Sequence, residues 1–197
     1  ASGSIAVGLT IGLLTYGQIC GAEPPSTIAA QPDKRLMAEA ERIVSQYKLD
    51  MVAAPKGVPS RNVVDAPLLG NGGLGAVITA QPDSWPLKFW VMKSNFCKLR
   101  HDHRKGGPRP FGGVDIDIPA IKGSTWRSEQ DIFPAITTCR FSRGETNVLA
   151  RTFIAATDDI LIIELTAEGA AVDVNTRLWP IPGRGSKEQT GRKDGIQ

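Results

Sequence analysis

Between Leu74 and Trp179, seven short apolar or alternating runs follow one another with no helical pattern between them: 74–80, 87–92, 113–118, 132–141, 146–155, 160–166 and 171–179. Parallel neighbours need crossovers of a dozen or more residues, normally helical. Most of these gaps are shorter, and none carries a 3.6-residue apolar period. The pattern excludes a parallel α/β sheet and predicts a mainly β chain, an antiparallel β-sandwich.

Turn residues punctuate the runs. Ser142-Arg143-Gly144-Glu145 is placed to close a hairpin between Phe141 and Thr146, and Thr157-Asp158-Asp159 and Glu168-Gly169 do the same further on. In the last run Val172, Val174, Thr176 and Leu178 point one way and Asp173, Asn175 and Arg177 the other, the mark of a half-buried strand. Leu161, Ile163 and Leu165 alternate with Ile160, Ile162 and Glu164, which predicts burial on both faces. The polar, basic, Gly- and Pro-rich interval 98–112 reads as a long surface loop.

One helix precedes the strands. Asp33 is its candidate N-cap. Leu36, Ala40, Ile43, Val44 and Tyr47 recur at helical spacing up to Lys48, with Lys34, Arg35, Glu39, Glu41 and Arg42 around them. Ahead of it, Ser4 to Cys20 is uncharged and mostly apolar, too short and Gly-rich for a stable membrane span. Cys20 and Ala22 put small residues three and one positions before a possible cut. The expected organisation is a signal peptide over 1–22 with an incomplete N-terminus, a linker and helix over 23–49, the sandwich over 50–180, and a polar tail or linker over 181–197. An apolar arm of the fold, or a membrane anchor, is the alternative for the first segment. The reading implies export to a periplasmic or extracellular space. With no strand legible after Trp179, the domain is expected to be truncated.

A net charge of +3 over 197 residues is no nucleic-acid footprint, and 41% apolar content excludes a disordered chain. After export Cys97 and Cys139 either pair or stand apart as small apolar residues.

Four constellations carry possible chemistry. In Pro67-Leu68-Leu69-Gly70-Asn71-Gly72-Gly73-Leu74-Gly75 the glycines permit positive φ and close backbone approach. This is either a ligand-contacting loop or a tight turn about Asn71-Gly72. Neither a Lys-Ser/Thr pair nor a helix follows, so it is no phosphate loop. Cys97, His101 and His103 have a C-x3-H-x-H spacing, but lie among Arg100, Arg104 and Lys105, which oppose a cation; no metal and no cofactor is expected. Asp115 and Asp117 share a strand face at about 6.5–7 Å, the separation of an inverting carboxylate pair, although alternation with Val114, Ile116 and Ile118 explains both as a wet face. Trp85, Trp90 and Trp126 are either core or sugar-stacking aromatics.

The order of these segments resembles the start of the N-terminal β-sandwich in glycoside hydrolases of the α-L-fucosidase-like family ninety-five and its relatives. Their pattern is a P-L-G-N-G-x-[LI]-G loop, a strand, a turn, and a strand ending in K-x-[DN]-[FW]. Here these are Pro67 to Gly75, with one extra Leu, and Lys93-Ser94-Asn95-Phe96. GGVDIDIP at 112–119 and RTFIAATDDILIIELTA at 151–167 resemble the following strands. The resemblance implies an exported enzyme acting on oligo- or polysaccharide, whose catalytic carboxylates belong to an (α/α)6 barrel in the same polypeptide. None of those carboxylates maps onto this chain. The sandwich would brace the barrel, and Asn71, Gly72 and Gly73 would help wall the sugar subsite. A free-standing carbohydrate-binding module and a non-catalytic cell-surface domain are the alternatives.

Overall fold

The computed structural model describes residues 5–9, 33–53, 66–81, 85–98, 107–180 and 189–193, with side chains at 33–53, 66–80, 87–96 and 110–180. The chain is a mainly β protein with one α-helix, and its strands form two antiparallel sheets. In chain order the elements are β1 (Ile5–Leu9), α1 (Lys34–Val44), β2 (Lys48–Met51), β3 (Leu68–Gly70), β4 (Leu74–Gln81), β5 (Trp85–Lys98) and β6 (Gly107–Asp117). A single 3-10 turn (Pro119–Ile121) leads to β7 (Thr125–Asp131), β8 (Ile136–Arg143), β9 (Thr146–Ile154), β10 (Leu161–Glu168), β11 (Val174–Pro180) and β12 (Gln189–Lys193). The first sheet has the order β1-β10-β9-β8-β7-β2 and the second β12-β11-β6-β5-β4-β3.

Alternation builds the core. Leu87, Phe89 and Val91 on β5 and Val114 and Ile116 on β6 meet Phe141, Val148, Ala150, Ile163 and Leu165 of the first sheet. The 3-10 turn carries the chain between the sheets, with Ile121 buried beneath it. The Gly144-Glu145 hairpin forms as expected, pairing Arg143 with Thr146.

Several boundaries differ from the sequence reading. β7 was not legible because its inward residues include Ser128, which is as buried as its neighbours. The run 132–141 splits into a turn and β8, since Ala135 sits at φ 54°. The expected surface loop shortens: β6 begins at Gly107, with register shifts where Pro108 and Pro110 enter the ladder. Within the segments expected to be signal and tail, β1 pairs with β10 and β12 with β11, each as an edge strand. No helix among the described residues is long and apolar enough to cross a membrane.

The cap of α1 is the expected one: the Asp33 carboxylate accepts from the Arg35 N–H at 2.8 Å. Its apolar side is uncovered. No residue of the helix is buried, and Leu36, Met37 and Ile43 are exposed, as are Tyr47, Leu49 and Val52 after it.

Cys139 is a free thiol, enclosed on β8 beside Ser128. Burial pushes its pKa up to about 11, so it stays protonated and unreactive at neutral pH. The side chain of Cys97 lies outside the described residues.

Candidate functional site

Two clusters stand out, one at a corner of the sandwich and one on the outer face of the second sheet. The corner is built by the loop between β3 and β4. The Asn71 N–H donates to the Leu74 carbonyl at 3.1 Å, closing a tight turn. The Asn71 carboxamide oxygen accepts from the N–H groups of Gly73 (2.9 Å) and Leu74 (2.8 Å). Its amide nitrogen donates to the carbonyls of Ala155 (2.9 Å) and Asp158 (3.0 Å) on the β9–β10 connection. That is the full capacity of the side chain, and it ties one sheet to the other.

The loop is fastened on its other side too. The Ser94 N–H donates to the Gly73 carbonyl at 2.8 Å, and Lys93 Nζ lies 2.7 Å from Asp159. A Cβ on Gly73 would stand 2.8 Å from an Asp159 carboxylate oxygen, so a side chain there would have to push the Asp159 carboxylate aside. Gly72 is different: it is exposed, has φ +91°, and has open space where a Cβ would stand. Of the three residues expected at a sugar subsite, Asn71 and the Gly73 N–H are spent on intrachain bonds, and Gly72 alone turns its backbone outward. Asn71→Ala removes four hydrogen bonds and is expected to cost about 1–3 kcal/mol, read as a melting temperature lowered by several degrees. An unchanged melting temperature would show that the amide does not hold the corner.

The second cluster lies where alternation suggested a wet strand face. Asp115 is 6% exposed, and the reading of it as a solvated carboxylate is corrected. Its oxygens accept from Arg177 Nη2 (2.5 Å) and Trp179 Nε1 (2.7 Å), and Lys88 Nζ is 3.2 Å away. The register explains the grouping. Lys88, Asp115 and Arg177 form one row across β5, β6 and β11, and Trp90, Gly113 and Trp179 form the next. The two indoles meet at 4.8 Å and 77°, edge to face, and the Lys88 ammonium sits 4.5 Å from the centroid of Trp179. Asp115 is thus enclosed and held by two cations and an indole N–H, which gives it a structural role in this cluster.

Trp126 is a core residue, as one of its two readings had it. The side chain of Trp85, and His101 and His103, lie outside the described residues. Among the described residues no group of three His, Cys, Asp or Glu side chains is placed to hold a metal ion. No family model matches the chain, and no curated protein matches it at a significant level.

Proposed function

We propose that the chain is the N-terminal sandwich portion of an exported glycoside hydrolase acting on oligo- or polysaccharide. In this reading it braces an (α/α)6 catalytic barrel in the same polypeptide, and its glycine loop helps to wall the sugar subsite. One observation carries the reading. The segments that resemble the glycosidase sandwich, 67–75, 93–96 and 151–167, meet at one corner through Asn71, Lys93 and Asp159. The first two are neighbours in the β4–β5 ladder, where Leu74 pairs with Lys93, whereas the third reaches them from the other sheet. The corner presents the Gly72 backbone to whatever packs there. The bare apolar side of α1, with Leu36 and Ile43 exposed, and Tyr47 exposed just beyond its end, supplies the bracing contact, since a stripe of this kind is stable only against a partner surface. Export rests on the uncharged apolar stretch from Ser4 to Cys20 as a sequence feature, while the pairing of Ile5–Leu9 with β10 fits the alternative of an apolar arm of the fold.

The test is the intact gene product, assayed for release of sugar from aryl glycosides and oligosaccharides. Activity is expected. Replacing Leu36, Ile43 and Tyr47 together by Ser should lower that activity at least about tenfold while the melting temperature of the present chain alone stays put, because none of the three is buried in it. An intact product without glycosidase activity sinks the reading, and activity indifferent to the triple change sinks the bracing role.

A further inference from the structure

The β5–β6 ladder is broken beside the corner. Met92 pairs with Pro110 and Cys97 with Pro108, so the four residues from Lys93 to Phe96 stand against Arg109 alone. A bulge bends its strand and re-aims the side chains it carries, and bulges gather next to active sites. This one lies against the glycine loop. Leu74 pairs with Lys93, and the Ser94 N–H donates to the Gly73 carbonyl at 2.8 Å, so Asn95 and Phe96 leave the β4 ladder at the level of Gly72.

The bulge leaves its residues open. Gly72, Asn95 and Phe96 are all exposed, Phe96 at 52%. The Phe96 ring is steadied at its edge by half-buried Phe111, with 6.2 Å between centroids and 79° between planes. The Asn95 carboxamide makes no hydrogen bond among the described residues. The Lys93 ammonium that fastens the loop is answered by the Asp159 carboxylate at 2.7 Å. The corner thus joins an open aromatic ring, an open carboxamide and an open backbone turn, and its lysine is already paired.

We propose that the Asn95–Phe96 bulge is a subsite for a neutral pyranose, with one face of the sugar against Phe96, neighbouring hydroxyls on the Asn95 carboxamide, and the Gly72 backbone at the edge of the ring. The proposal rests on the glycosidase reading and deepens it, naming the side chains that touch sugar and the charge of the sugar they take. A carboxamide donates and accepts at once, as a pair of hydroxyls does, and an aromatic ring covers the apolar face of a pyranose. Gly72 has open space where a Cβ would stand, which lets a ring approach the backbone. An acidic sugar gains nothing from a lysine that Asp159 already holds.

The test uses the present chain with three neutral probes, cellohexaose, xylohexaose and laminarihexaose, and one acidic probe, hexagalacturonate, read by calorimetry and saturation-transfer NMR. At least one neutral probe should bind saturably, and hexagalacturonate more weakly. Phe96→Ala should weaken that binding at least about tenfold, and Asn95→Ala at least about threefold. Both side chains are exposed, so both variants are expected to fold; should Phe96→Ala fail to, Asn95→Ala decides. The proposal is overturned by three neutral probes without saturable binding, by tighter binding of hexagalacturonate, or by binding that the folded variants leave unchanged. The measurement needs no barrel and no catalysis, so its failure is separate from failure of the glycosidase reading.

Discussion

Gly113→Ala is expected to be the most damaging single methyl group that can be added to this chain. Gly113 pairs with Trp90 on one side and Trp179 on the other, at the centre of the second sheet. A Cβ there would overlap the Phe89 carbonyl, which is ladder backbone, and the Trp179 ring, which is held by its own hydrogen bond. Neither can yield without opening the pairing of β5, β6 and β11. Overpacking of this severity costs about 3 kcal/mol, which for a chain of this size is a melting temperature roughly 6–12 °C lower. Thermal and urea melts of the variant check it. A loss under about 2 °C would mean that Trp179 is not seated on Gly113.

Asp115→Ala comes second, through charge instead of volume. The substitution takes one carboxylate partner from Lys88, whose side chain is 15% exposed, and strips the Trp179 N–H of its acceptor. Removing one member of a buried ion cluster typically costs about 3–5 kcal/mol. The low end, about 3 kcal/mol, is expected here, because Arg177 is half exposed and regains water. Replacing Lys88 by Met in the same chain should recover part of the loss. A double variant as unstable as the single one would show that the Lys88 ammonium is not the source.

The strands legible in the sequence are those whose inward residues are mostly large and apolar. β10 buries Leu161, Ile163 and Leu165 as expected, but Ile162 and Glu164 on its other face are only half-buried, which corrects the expected burial on both faces. β7 is not legible, because Ser128 is buried by its neighbours on β8 and not by its own hydropathy. Asn71-Gly72 was readable as a turn from the dipeptide, but the carbonyls that its amide reaches are 84 and 87 residues away, and nothing local marks them. Asp115 was opaque for the same reason. Alternation with valine and isoleucine says which way it points, not that Lys88 and Arg177 are waiting on the neighbouring strands. Pairings of low sequence separation could be read, whereas the partners of buried polar groups are set by topology.

The placement of β11 has a consequence for the order of assembly. β7, β8, β9 and β10 form an uninterrupted meander whose turns are short, so each pairing closes a small loop at small entropic cost. β11 must travel back to β6, and Arg177 stands 62 residues from the carboxylate it serves. The second sheet is therefore expected to close late, with Asp115 exposed until it does. Substitutions at Trp179 should then speed unfolding and leave refolding rates almost untouched, a split that stopped-flow kinetics reads directly. A slowed refolding limb would place β11 in the folding nucleus instead.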